Sequence, residues 1–110
     1  MGRIERVGTA ALAVLALVGC ATTSGAGSAA AYGAGDGTSC EQAVVIHAPT
    51  EMAGTRAEYD WIAARYPGYH RDRQALIRCN GRPADQLRIR TAAGQEVEIF
   101  FDISEYFGRF

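Results

Sequence analysis

The stretch QLRIRTAAGQEVEIFFDI, residues 86–103, decides the fold of this chain. Apolar and polar residues alternate on both sides of a short central segment, and this period of two predicts two half-buried β-strands. The segment Ala92-Ala93-Gly94 has the length of a three-residue hairpin loop, in which the glycine adopts the left-handed conformation. The sequence therefore predicts an antiparallel hairpin.

One register of this hairpin satisfies both faces of the predicted sheet. It sets basic residues opposite acidic residues on the solvent face, and aliphatic residues opposite each other on the buried face. A shift by one residue would move every side chain to the other face, so we expect a single register. Its predicted pairs are Arg90 with Glu96, Ile89 with Val97, Arg88 with Glu98, and Leu87 with Ile99.

The segments before the hairpin supply two more strands and a helix. The β-branched run 43–48 predicts a buried strand, and residues 75–79 predict a second strand with Ala75, Ile77 and Cys79 on one face. A capping box made by Thr55 and Glu58 predicts a helix over residues 56–66, which a Pro-Gly pair ends. The buried stripe of that helix is predicted to hold Tyr59, Ile62, Ala63 and Tyr66.

These elements define the expected fold class. Ser104 precedes residues 105–110, which predict a short C-terminal helix whose aromatic side chains fold back on the core. The order is β-α-β-β-β, an α+β domain with one helix packed on a mostly antiparallel sheet. The sequence leaves the strand order open.

The N-terminus has the pattern of an export signal. A basic start is followed by the uncharged apolar run Val7–Val18, whose twelve residues would rise about 18 Å as a helix and could not span a bilayer core of about 30 Å. Leu17-Val18-Gly19-Cys20 resembles the lipobox of bacterial lipoproteins. This resemblance implies cleavage before Cys20 and lipidation of its thiol with acyl chains such as palmitate. The alternative is an ordinary secretory signal cut at a nearby small residue such as Ala21 or Ala26.

The resemblance also implies a location and a domain organisation. We expect residues 1–19 to be a signal peptide, residues 20–38 to be the lipid anchor with a flexible Gly/Ala/Ser tether, and residues 39–110 to be the globular domain. The protein would then be lipid-anchored in the cell envelope. In a Gram-negative source, Ala21 after the cysteine favours the outer membrane, facing the periplasm.

Cysteine parity points to a disulfide. The chain has three cysteines, and the lipobox resemblance assigns Cys20 to lipid, so Cys40 and Cys79 remain as a pair for an oxidising compartment. A metal-binding pair or a reactive thiol are the alternatives, but neither cysteine lies in a CxxC motif or near a histidine at ligand spacing. We expect no metal and no cofactor.

Composition and motifs leave the function open between two classes. The net charge of −1 gives no electrostatic basis for binding nucleic acid. No HExxH, GxSxG, P-loop or EF-hand pattern occurs, so the expected function is non-catalytic binding. The alternative is a small periplasmic enzyme that uses His47 or His70 with a carboxylate. In size, anchor and disulfide the chain resembles the lipoprotein lysozyme inhibitors, although the residue motifs of that family are not recognisable here.

Aromatic and basic residues cluster after the predicted helix and form the candidate site. Such side chains can complement the helix dipole, or they can bind carboxylates, a glycan or an envelope protein partner. Residues 67–73 lack periodicity and are predicted to be a loop. A histidine beside a carboxylate in a concave pocket would favour the enzyme, and a flat Tyr/Arg surface the binding module. The candidate residues are Tyr66, Tyr69, His70, Arg71 and Arg73.

Overall fold

A four-stranded mixed sheet with one helix packed on it forms the part of the chain that the computed structural model describes, residues 31–110. The predicted signal peptide, residues 1–19, and Cys20 lie outside the described residues. The α+β fold class is confirmed. The elements in chain order are β1 (Val44–Val45), α1 (Glu51–Arg65), β2 (His70–Cys79), β3 (Arg82–Arg90) and β4 (Glu96–Asp102).

The β3–β4 hairpin has the predicted register at all four predicted pairs. Gly94 has a φ of 88°, the left-handed conformation that the loop requires. On the solvent face, Arg88 Nη2 lies 2.8 Å from Glu98 Oε2, and Arg90 Nη2 lies 3.4 Å from Glu96 Oε2. The binary pattern therefore determined both the pairing and the sidedness of these strands.

The strand order is β1-β4-β3-β2. β2 and β3 form a second hairpin through Asn80 and Gly81, whose φ angles of 55° and 79° fit a two-residue turn with matching twist. β1 runs parallel to β4, whereas the other two pairings are antiparallel, so the prediction of a mostly antiparallel sheet is confirmed. β2 therefore lies at one edge of the sheet.

Residues 31–38 are packed on the domain, which corrects the predicted extent of the tether. The backbone of this segment pairs with the outer side of β1: Gly33 N–H donates to Val45 O at 2.7 Å, and Val45 N–H donates to Ala34 O at 2.9 Å. Further along, Phe100 N–H donates to Gly37 O at 2.9 Å. Small residues favour this close backbone approach as well as a flexible linker, so composition could not separate the two.

Helix α1 begins at Glu51, not at the predicted Arg56. Thr50 is the N-cap, and its hydroxyl accepts a hydrogen bond from Ala53 N–H at 3.2 Å. The predicted capping box is wrong because Glu58 turns inward to the core. The buried face consequently differs from the predicted stripe, and it comprises Gly54, Ala57, Glu58, Trp61 and Ile62.

The core lies between this helical face and the sheet. Trp61 packs edge-on against Phe101 of β4, with ring centroids 5.5 Å apart. β1, β3 and β4 each contribute fully buried aliphatic or aromatic side chains, and burial of each such side chain contributes roughly 1.5–3 kcal/mol. The principal core residues are Val44, Ile46, Ile62, Leu87, Ile89, Ile99, Phe101, Ile103 and Tyr106.

The predicted C-terminal helix over residues 105–110 is not present; these residues form turns instead. The chain after Ile103 folds over the start of α1, where Glu51 N–H donates to Arg109 O at 2.8 Å and Gly108 N–H donates to Glu51 Oε2 at 2.7 Å. One of these long-range bonds gives a partner to the Glu51 N–H, which lies in the first turn of α1 and has none within the helix. Tyr106 does fold back into the core, as predicted.

The Cys40–Cys79 disulfide is confirmed, with its Cα atoms 5.2 Å apart. It joins the end of β2 to the segment before β1, on opposite sides of the sheet order. In the chain-entropy description, closing a loop of this size stabilises the fold by about 4 kcal/mol. Nothing helical in residues 31–110 has the length and apolar character needed to span a bilayer.

Candidate functional site

Most of the predicted candidate residues lie on a strand, which corrects the loop predicted over residues 67–73. β2 begins at His70, and its pairing with β3 shifts between Arg71 and Arg73 through a β-bulge. A bulge places an extra residue on one strand and interrupts the alternation of faces. Both faces of this part of the edge strand are exposed, so its residues need not alternate between apolar and polar. Without that alternation the segment was predicted to be a loop.

Arg71 is held against the helix by an aromatic partner. Its Nη1 donates a hydrogen bond to the Tyr59 hydroxyl, and its guanidinium carbon lies 5.3 Å from the centroid of the Tyr59 ring. The hydroxyl donates in turn to Gln74 Oε1 of β2 at 2.8 Å. A cation over an aromatic face contributes about 0.5–1 kcal/mol at an exposed site. This network fixes the direction of an exposed guanidinium.

Four side chains line one shallow open depression, which we call the Tyr–Arg face: Tyr59, Tyr69, His70 and Arg71. Three come from the predicted candidate set as neighbours in sequence, and Tyr59 comes from the helix. Tyr59 had been assigned to the buried stripe, where it is only half-buried. A tyrosine at the margin of an apolar stripe commonly keeps its hydroxyl in solvent, and that is the signal that could have identified it.

Two of the predicted candidates lie elsewhere. Tyr66 caps the C-terminus of α1, where its N–H donates to Ile62 O at 2.7 Å, and its ring packs against the core. Arg73 lies beyond the bulge on the other face of the sheet, beside Gln86, Arg88 and Glu98. The structure therefore brings Tyr69, His70 and Arg71 together and separates Arg73 from them.

His47 does have a carboxylate partner. Its Nδ1 lies 2.9 Å from Glu105 Oε1, and the second oxygen of Glu105 accepts a hydrogen bond from Ala48 N–H at 3.1 Å. The bond from His47 is the main cause that lowers the pKa of Glu105. The two side chains are 46% and 48% exposed. This geometry ties the C-terminal turn to the end of β1, and solvent reaches both partners.

A groove of about 560 Å³ runs along α1 and is lined on one side by Ala31 and Tyr32. Its floor includes Trp61, and the Arg65 guanidinium lies 4.5 Å from the centroid of the Trp61 ring. Tyr32 closes one side, where its hydroxyl donates to Ala57 O at 2.7 Å. Because Arg65 covers the indole and only 9% of Trp61 is exposed, the aromatic face is not open to a ligand.

Two acids and a tyrosine meet in the core, which the sequence did not predict. Glu58 is completely buried, and Asp85 and Tyr106 are nearly so. The Tyr106 hydroxyl donates to Glu58 Oε2 at 3.0 Å, whereas Glu58 Oε1 accepts no hydrogen bond. Burial, together with the hydrogen bond and charge of Asp85, raises the pKa of Glu58 to about 9. Glu58 is therefore protonated, and neutral, at pH 7.

No cluster of three or more potential metal ligands occurs among residues 31–110. Glu58 and Asp85 are both buried, so a substrate has no access to them. A comparison of the chain with protein families, with curated proteins and with solved structures finds no match.

Proposed function

We propose that this chain is a lipid-anchored protein of the cell envelope, and that it acts as a non-catalytic binding module through the Tyr–Arg face. The observation that carries the binding proposal is the orientation of Arg71, which Tyr59 holds in place while solvent reaches its free edge. The partner is a protein or a glycan of the envelope that presents carboxylates.

The electrostatics of the site support a carboxylate partner. A guanidinium offers two parallel N–H donors to a carboxylate, and this bidentate geometry is stronger than a bond to a single charge. Because Tyr59 already restricts Arg71, less side-chain entropy is lost when a ligand binds. Tyrosine and arginine are also the residues that most often dominate binding energy at interfaces.

The N-terminal pattern supports the anchored location. Lipidation at Cys20 would keep the protein on the membrane, since two or three acyl chains hold a protein stably whereas one does not. We expect the chain to enter the detergent phase on phase partitioning, and Cys20→Ser to move to the aqueous phase. A wild-type chain that is already in the aqueous phase would contradict the anchor without bearing on the Tyr–Arg face.

The binding proposal is tested by crosslinking the chain in intact membranes and recovering it with its partner. Arg71→Ala is expected to reduce partner recovery by about tenfold or more. Tyr59→Phe keeps the ring but removes the hydroxyl that positions Arg71, and we expect a loss of about two- to tenfold, the range for one hydrogen bond.

Two variants serve as controls in that experiment. Arg56→Ala removes an exposed arginine from the same helix that lines other depressions but not the Tyr–Arg face, and it is expected to leave recovery unchanged. His47→Gln tests the catalytic alternative, and we expect it to leave recovery unchanged as well. Thermal melting of every variant separates lost binding from lost folding. An unchanged partner in Arg71→Ala, with normal expression and melting, would rule the proposal out.

A further inference from the structure

We infer that the exposed edge of β2 accepts an extended acidic segment of a partner protein as a fifth strand of the sheet. This inference rests on the proposed binding function and names the class of partner. In strand addition the main chains of the two proteins hydrogen-bond along a sheet edge, and the alternating side chains select the sequence.

In the described part of the chain, one edge of the sheet is covered by another segment, and the other edge is open. The outer side of β1 is covered by residues 31–34, which bond to it as a short antiparallel segment. β2 has ten residues and pairs with β3 on one side only; within residues 31–110 nothing pairs with its other side. Such an edge presents a row of free N–H and C=O groups to another chain.

The protection of this edge is incomplete. Natural sheets guard an edge with bulges and charged side chains. Here the bulge is confined to the start of β2, and from Arg73 to Cys79 the pairing with β3 is regular. Leu76, in the middle of this run, is 58% exposed. The disulfide at Cys79 and the tight turn after it hold the run in place, so its backbone is ready to pair.

The charges of β2 select an acidic partner. Arg71, Arg73 and Arg78 are all exposed. Arg71 and Arg78 bond to a hydroxyl and to a carbonyl oxygen, which leaves their charges uncompensated, and Arg73 makes no ion pair within residues 31–110. The one acid of the strand, Asp72, lies 3.7 Å from Arg90 of β3.

A second copy of this chain fits the edge poorly. Two β2 strands side by side would bring two sets of three arginines together, and like charges on neighbouring strands destabilise a sheet. An acidic strand places its carboxylates beside the same arginines. An apolar residue of that strand beside Leu76 would cover the exposed leucine. Because Leu76 and Arg78 lie on one face of β2 and Arg73 on the other, the favoured segment carries acidic residues on both faces and an apolar residue beside Leu76.

The probe for the test is the eight-residue peptide Glu-Glu-Glu-Val-Val-Glu-Glu-Glu, acetylated and amidated, added to the full chain. We expect saturable binding, together with slower hydrogen exchange of β2 amides and unchanged exchange at β3. A control peptide of the same sequence carries N-methyl groups on alternate residues and cannot form the main-chain bonds on one edge. Its affinity should be lower by about tenfold or more, because several hydrogen bonds are lost.

Two variants locate the contact. Leu76→Glu places a carboxylate in the middle of the edge, where it repels the acidic peptide. We expect the affinity for the peptide to fall by about tenfold or more. Met52→Glu adds the same charge at a side chain that is 78% exposed on the helix, and it should leave affinity unchanged. Circular dichroism and melting show whether either variant is misfolded.

Three results would overturn strand addition. Equal binding of the N-methylated peptide would mean that charge alone attracts it. Absence of binding by the Glu-Val peptide would mean that the edge does not accept acidic strands. Self-association of the chain that Leu76→Glu abolishes would mean that a second copy occupies the edge. If Leu76→Glu keeps its membrane partner while Arg71→Ala loses it, the binding function stands and the strand-addition inference fails.

Discussion

Acidic side chains lie in two contrasting environments, one buried under the helix and one exposed on the outer face of the hairpin. In the core, Glu58 is neutral beside Asp85 and accepts a hydrogen bond from the Tyr106 hydroxyl. On the hairpin, Glu96 and Glu98 lie opposite arginines, and the bond from Arg88 lowers the pKa of Glu98. The same functional group is neutralised by a proton where water is excluded, and by an ion pair where it is not.

The largest effect that separates the two regions is expected from pH. Because the folded-state pKa of Glu58, about 9, lies above the ordinary value of 4.5, the stabilisation that neutral Glu58 gives is complete below the ordinary value. It is lost as the pH rises towards about 9. The free energy of unfolding should therefore fall with rising pH, by up to about 1.4 kcal/mol per pH unit for this one proton. Urea denaturation between about pH 5 and about pH 8 measures the slope.

Glu58→Gln is the matched control for this slope. The amide keeps the shape of the side chain and can still accept the Tyr106 bond, but it cannot lose a proton. Its unfolding free energy should be flat over that range. The contribution of Glu98 to the pH dependence has the opposite sign. Its lowered pKa adds stability that is lost as the pH falls below the ordinary pKa. An equal slope in Glu58→Gln would show that another group controls the alkaline side.

A smaller effect is expected from the glycine beneath the Tyr106 ring. Replacing a helix-interior glycine with alanine usually stabilises a protein by up to about 1 kcal/mol. At Gly54, however, the new Cβ would overlap the ring of Tyr106. Gly54→Ala should therefore destabilise the fold by about 1–3 kcal/mol, the range for overpacking a core.

The double variant Gly54→Ala with Tyr106→Ala tests that cause. Tyr106→Ala alone opens a cavity, and in its background the added methyl group of Gly54→Ala should become stabilising. Urea denaturation of the four chains gives the coupling free energy. Gly54→Ala that stabilises the wild-type background would contradict the packing of Tyr106 on the helix.

The smallest effect is expected on the hairpin face. The Arg90 and Glu96 side chains are about half exposed, and a cross-strand ion pair of this kind is worth about 0.2–1 kcal/mol. A double-mutant cycle with Arg90→Gln and Glu96→Gln should give a coupling in that range that decreases in high salt. A coupling that salt does not change would indicate that the side chains interact through packing and not through charge.

The hairpin could be predicted because every piece of local information agrees there. The alternation, the opposite charges and the position of Gly94 all require one register, and the structure has it. The start of α1 could not be predicted in this way. Thr55 and Glu58 matched a capping box, while Thr50, the actual N-cap, lies before a glycine that lowers helix propensity. That glycine, Gly54, leaves room for the ring of Tyr106, which is distant in sequence.

The candidate site shows the same limit. The sequence identified Tyr69, His70 and Arg71, which the structure brings together, but not Tyr59, which orients the arginine from another element. It also grouped Arg73 with them, because a bulge that moves a residue to the other face has no clear signature in one sequence. Pairing of β1 with β4 depends on contacts across most of the domain, so the strand order was open.

The bonds between Glu51 and the backbone at Gly108 and Arg109 have a consequence for the order of folding. Residues 106–109 supply both the hydrogen-bond partners of Glu51 in the first turn of α1 and the Tyr106 ring that packs on Gly54. During synthesis the helix therefore emerges long before the groups that complete it, and the domain cannot close until residues 103–109 are available. A chain emerging from the ribosome would therefore stay incompletely folded until this turn has been made.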